Sequence, residues 1–176
     1  CVPPPPGSPS LASFSCSPAT CLFRAPNLGV GRGPDLPFQM VGAPWLAPAR
    51  VIADVRDRLT SALSTCVSTP THAPYTGERC HAVRLPCEAA AGGVVADGLH
   101  LLASIMRTHG DSFLWSRYPT AAKPSGGGHF ERLIGRGGIR EALERATDAP
   151  AASTIAEWTS VYYWADRVHR SGAVLY

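Results

Sequence analysis

The stretch best suited by residue type to nucleophilic chemistry is Thr20-Cys-Leu-Phe-Arg-Ala25. Cys21 at a helix start would gain from backbone donors and the helix dipole, which favour the thiolate. It would also need a histidine to take its proton. The chain holds six histidines: His72, His81, His100, His109, His129 and His169. None stands in a His-x-x-x-His or His-Glu-x-x-His pair, so neither a metal centre nor a cofactor is expected. Cys80, His81 and Cys87 could offer three zinc ligands, but at a spacing that fits no common pattern. Gly126-Gly-Gly-His-Phe and Gly135-Arg-Gly-Gly share only their glycine content with phosphate loops. No Lys-Ser/Thr follows either one, and both read as flexible connectors. Pro26, which ends any helix about one turn later, favours the other reading, a structural or unpaired cysteine in a Pro-rich arm.

The elements that would position these residues follow from periodicity. Residues 1–44 are rich in Pro, Gly and Ser and read as an irregular arm or linker, with one short ordered piece around residues 16–25. The remainder, 45–176, reads as one α-rich domain. Val51, Ile52, Val55, Leu59 and Leu63 form one apolar stripe and predict a helix over 45–65, with an Asp54–Arg58 pair on its surface. Residues 66–87 read as loop. Val94, Val95, Leu99, Leu102, Ile105 and Met106 predict a buried helix from about Gly98, because Gly92 and Gly93 disfavour an earlier start; Gly110 is its stop. Phe113, Leu114, Trp115 and Tyr118 make an aromatic patch before the loop 123–128. A helix over 139–146 should carry a Glu141–Arg145 pair. Thr154 and Glu157 form a capping box for a helix over 155–170, and 173–176 reads as a short late strand. The expected fold class is therefore α+β: a mostly helical single domain preceded by a Pro-rich arm.

Composition limits the partners. Charged residues are 16%, net charge is +3, and no Lys/Arg run stands out, so no nucleic-acid footprint is expected. No apolar run has the length of a membrane span. Six cysteines are compatible with three disulfides in an oxidising compartment or with reduced thiols in a cytosolic or viral protein. A chain that opens on Cys and a Pro run reads as excised from a longer polyprotein or as a processed product.

Two stretches resemble the ovarian-tumour (OTU) family of cysteine proteases, which remove ubiquitin. Cys-Leu-Phe-Arg-Ala around Cys21 is similar to the family's nucleophile motif, although Pro18 and Ala19 replace its Asp-Gly. Residues 94–105 fit the same motif in a second register. Asp97-Gly98, Leu101, Leu102, Ser104 and Ile105 fall in place there, but His100 stands where the cysteine should be. Residues 139–144 resemble the family's mid-domain helix, and Trp158 to Tyr176 its Trp segment, Ala-rich helix and late strand. The resemblance covers roughly 94–176. It implies a papain-type fold with a catalytic set drawn from Cys21, Asp97 and His100, ubiquitin or a ubiquitin-like modifier as partner, and a setting in a viral polyprotein. It also implies loss of activity in the His100 register. A cytosolic location is then favoured over secretion. The alternative is a secreted, disulfide-stabilised helical ligand or effector without catalysis. On that view the stretch from Cys80 to Cys87 resembles a disulfide loop of interleukin-10-like cytokines.

Overall fold

The computed structural model describes residues 11–32, 36–59, 62–85, 91–119, 121, 124–146, 150 and 153–160. The chain forms α1 (Leu11–Thr20), β1 (Met40–Ala43), α2 (Pro48–Val55), β2 (Ser64–Ser68), β3 (Cys80–Arg84), α3 (Ala91–Thr108), α4 (His129–Ile134) and α5 (Ile139–Arg145). Residues 153–160 are also helical and are called α6. The fold is α+β: six helices and one three-stranded antiparallel sheet in a single domain. The late strand expected at 173–176, His169, and the distal part of the helix expected over 155–170 lie outside the described residues.

The sheet has the order β1-β3-β2, with Val41 opposite Val83 and Cys66 opposite Ala82. β1 is buried throughout, while β2 is an edge strand without a fully buried residue. Sequence periodicity predicts helix through residue 65 and loop to 87; instead the helix stops at Val55, tightens into a 3-10 turn at Arg56–Arg58, and two strands follow. Five-residue strands carry little period-2 signal, and the pairing of β3 with β1 on one side and β2 on the other decides their conformation. Pro48 occupies the first turn of α2, where its missing N–H costs nothing.

The N-terminal residues belong to the core. Cys16, Ala19, Leu22 and Phe23 are at most 1% exposed, although composition placed them in an irregular arm with one short ordered piece. α1 tolerates Pro18 and runs into a 3-10 turn at Cys21–Arg24, after which Pro26 ends it. Thr20 Oγ1 bonds back to the Cys16 carbonyl at 3.0 Å. α1 lies so close to α3 that a Cβ on Gly98 would sit 3.0 Å from the Ala19 Cβ. Such close approach needs small residues on both helices.

α3 is the central element. Leu99, Leu102 and Ile105 are fully buried on it, matching the apolar stripe. It starts at Ala91 rather than near Gly98. A helical glycine costs only about 1 kcal/mol relative to Ala, and each fully buried Leu or Ile returns roughly 1.5–3 kcal/mol. The anticipated Asp54–Arg58 pair is present at 4.0 Å, and Arg107 of α3 binds the same carboxylate more closely. On α5 the pair is Arg140–Glu144, at 2.9 Å, rather than Glu141–Arg145. Glu157 accepts a bond from Arg136 at 2.9 Å and so is engaged away from the expected capping box.

Candidate functional site

Cys21 opens the 3-10 turn after α1 and is half-buried, its sulfur 3.5 Å from the Ser17 hydroxyl oxygen. Among the described residues no imidazole hydrogen-bonds that sulfur, so a thiol–base pair is not assembled there. Asp97 and His100 stand one turn apart on α3, each only 5% exposed. Burial pushes the His100 imidazole below its ordinary value; Asp97 opposes that shift, while Arg58 and Arg107 add to it. Its Nδ1 is buried with no hydrogen-bond partner among the described residues. Further along α3, Ser104 Oγ donates to the Val51 carbonyl at 3.3 Å and Arg107 pairs with Asp54. Through Ser104 and Arg107 this face of α3 is tied to α2, and Arg107 also edges a small cleft of about 110 Å³ beside Leu143 and Glu144 of α5.

The cysteines divide differently from both expected extremes. Cys16 is disulfide-bonded. Cys21, Cys66 and Cys80 are free. Cys80 therefore cannot close the Cys80–Cys87 loop of the cytokine-like alternative. Among the described residues no group of three or more His, Cys, Asp or Glu could hold a metal ion.

A cleft of about 350 Å³ opens elsewhere, between residues 115–117, the glycine loop 126–128 and the start of α5. Trp115, Arg117, His129, Phe130 and Arg140 line it. The 114–116 strip is held beside 25–27 by β-type bonds: Ser116 N–H to the Ala25 carbonyl and Asn27 N–H to the Leu114 carbonyl, both 2.8 Å. Asn27 locks the strip from its side chain as well, accepting from Leu114 N–H at 2.8 Å and donating to the Ser112 carbonyl at 2.9 Å. The Trp115 ring meets Phe113 edge-on at 5.1 Å, and Phe130 at 5.1 Å with a tilt of 53°. The Arg140 guanidinium stands 5.0 Å from the Trp115 ring centroid while its Nε donates to Glu144. Cation–π contact and ion pair together fix its orientation.

The opposite wall depends on glycine. Gly126 has φ +71, and a Cβ there would stand 2.8 Å from the Tyr118 nitrogen. The Tyr118 N–H donates to the Gly126 carbonyl at 3.0 Å, joining loop to strip. His129 stacks on Tyr118 with centroids 4.4 Å apart and rings 9° from parallel. Burial holds the His129 imidazole below its ordinary value, and Arg132 and Arg24 reinforce the shift. Its Nε2 is buried without a partner among the described residues.

A second cleft of about 280 Å³ lies on the other side of the same strip, lined by Arg24, Pro26, Leu28, Arg32, Pro74 and Tyr118 among others. The two clefts share Ser116. Among the described residues neither is lined by an Asp or Glu. Aromatic walls, guanidinium groups and no carboxylate suit a ligand with polar rings and negative charge. None of the three residues singled out from the sequence, Cys21, Asp97 and His100, lines either cleft. The signals for the clefts were present as the aromatic patch Phe113–Tyr118 and the glycines before His129. What could not be read was that residues 25, 115–117, 126–130 and 140 meet.

Three comparisons bear on this arrangement. Residues 16–164 match the family model described as exo-beta-N-acetylmuramidase NamZ, C-terminal. The peptidoglycan beta-N-acetylmuramidase NamZ of Bacillus subtilis (strain 168) is 30% identical over 147 residues, which are 82% of this chain and 33% of that protein. The chain thus spans about a third of the length of this curated relative. Two crystal structures of DUF1343 family proteins from Bacteroides fragilis NCTC 9343 share the fold. One has a TM-score of 0.72 at 15% identity, over 100% of this chain and 45% of the other. The second has a TM-score of 0.58 at 21% identity, over 99% and 44%.

These matches overturn the OTU protease resemblance, and with it the deubiquitinase and viral-polyprotein functions. Ubiquitin entered as a partner only through that resemblance and loses its support. The secreted-ligand alternative finds none either. The reason is physical: Leu101, Leu102, Ser104 and Ile105 are positions that any buried helix fills with such residues. A motif made of them marks a core helix as readily as a protease.

Proposed function

The chain belongs to the family of NamZ C-terminal regions, and on that premise we propose that it forms the glycan-holding part of a peptidoglycan-directed β-N-acetylmuramidase. In this proposal the cleft beside Trp115 binds N-acetylmuramic acid, a sugar that carries a lactyl carboxylate. Trp115 and Phe130 supply apolar surface for the sugar ring, and Arg117 and Arg140 meet the carboxylate. Arg suits this role because its planar fork can bond a carboxylate through two N–H groups. The single observation that carries the proposal is a cleft lined by arginines and aromatics, and among the described residues by no Asp or Glu, in a chain of this family.

Hydrolysis of a glycosidic bond ordinarily needs a pair of carboxyl groups flanking it. No Asp or Glu lines either cleft among the described residues, so this proposal assigns binding and orientation to the chain. It draws the acid–base pair from outside the described residues. The Cys16 disulfide suits an oxidising, extracytoplasmic setting, which is where peptidoglycan lies. No helix among the described residues is long and apolar enough to cross a membrane.

Co-sedimentation tests the proposal. The chain should pellet with purified peptidoglycan and be released by rising salt, because counter-ions screen the arginine contacts. Chitin, which lacks the lactyl carboxylate, should retain much less. Equal retention on both polymers, or none on either, would sink the proposal.

A further inference from the structure

The second cleft lies across Ser116 from the first, and the strip between them alternates its side chains. Trp115 and Arg117 line the first cleft, Tyr118 lines the second, and Ser116 lines both. Alternation of this kind is what an extended segment imposes. Ser116 is small and exposed, so the ridge is low at this one point. Arg24 and Arg32 line the far side, beside the apolar surface of Pro26, Leu28 and Pro74. Arg32 is exposed, and its guanidinium stands 5.8 Å from the Phe38 ring centroid. Tyr118 belongs to the second cleft while its stacking partner His129 belongs to the first, so one ring pair spans the ridge.

We propose that the second cleft is a further glycan subsite, which takes the next carboxylate-bearing unit of the same chain as it passes over Ser116. This rests on the glycan reading of the first cleft. At about 350 and 280 Å³, each cleft is near the lower end of small-molecule pockets, roughly 300 Å³ and upward. One cleft alone suits a sugar unit rather than a strand. Charge on both sides of the ridge is positive, and no carboxylate lines either cleft among the described residues. A ligand with carboxylates repeated along its length therefore meets complementary charge twice, and a neutral one meets it nowhere. Linking two contacts through one ligand raises affinity without new contact types.

The test is a binding series on the full chain by calorimetry and NMR titration. The probes are N-acetylmuramic acid and a peptide-free tetrasaccharide of alternating N-acetylglucosamine and N-acetylmuramic acid. The tetrasaccharide should bind about tenfold or more tighter than the monosaccharide. In Arg32→Gln that ratio should fall close to one, and in Ser116→Trp, which raises the ridge, it should fall likewise. Equal affinity of the two probes for the unmodified chain would overturn the second subsite and leave the first-cleft reading standing. A ratio unchanged in both variants would also overturn it. Binding of neither probe would remove both. Circular dichroism of each variant checks that the fold is retained, and Arg32→Gln alone decides if Ser116→Trp fails to fold.

Discussion

Individual side chains carry the sharpest consequences. Arg140 is oriented by Trp115 and Glu144 rather than left as a free surface charge. Arg140→Gln should weaken binding of N-acetylmuramic acid about tenfold, corresponding to roughly 1.4 kcal/mol, with little loss of melting temperature; fluorescence titration on Trp115 reads this. Asp54 and Arg107 form the ion pair between α2 and α3, with the Arg107 side chain 19% exposed. Asp54→Asn leaves that guanidinium underpaired and should cost about 1–3 kcal/mol in urea unfolding. His100 gives a pH dependence with a definite sign. Its folded pKa lies below the ordinary 6.5, so folding favours the neutral ring. That contribution is fully present above about pH 6.5 and is lost as pH falls through the window down to the folded value. The melting temperature should therefore drop from about pH 7 to about pH 5, and His100→Gln should flatten part of that drop. His109 and His129 shift in the same direction and should keep the remainder. Cys21, Asp97 and His100 show how far residue type alone reaches. Each is chemically able, but Cys21 ends beside Ser17, and Asp97 and His100 are buried on α3.

At the scale of elements, legibility followed sequence distance. The buried stripe of α3 and the Val51–Val55 face of α2 repeat at helical spacing and were readable. The sheet was not. β2 reads Ser64-Thr-Cys-Val-Ser68 and exposes most of its side chains, and β1 contains Gly42, so neither announces a strand. Both are strands because β3 lies between them. Gly42 is the position on which that pairing turns: a Cβ there would lie 2.7 Å from the Ala82 Cβ and 2.9 Å from the His81 carbonyl oxygen. Gly42→Ala should cost about 1–3 kcal/mol by overpacking, seen as a lower urea midpoint. The cleft drew on still more distant elements, joining the end of α1, the 114–118 strip, the glycine loop and α5. Local propensity holds no record of such a meeting. The family match, which spans residues 16–164, takes in all of those elements.

For the molecule as a whole, the segment from Leu11 to Arg24 is what separates composition from structure. Pro, Gly and Ser content suggested an arm, yet Cys16, Leu22 and Phe23 are core residues and Cys16 is covalently tied. Reducing the protein should lower its thermal stability, by about 2–4 kcal/mol if the disulfide behaves typically. Alkylation without reduction should spare Cys16 while modifying half-buried Cys21 and Cys66, as peptide mass mapping would show. The proposed glycan-holding role rests on the family match and the lining of the first cleft, and the cleft's location is its central claim. The most direct test is an NMR titration of the chain with N-acetylmuramic acid, followed at the Trp115 indole, the amides of Gly126 to Gly128 and the Arg140 side chain. The account predicts saturable shifts concentrated there, reduced in Arg140→Gln and weaker for N-acetylglucosamine. Shifts centred on Asp97 and His100, or no saturable shift at all, would contradict it.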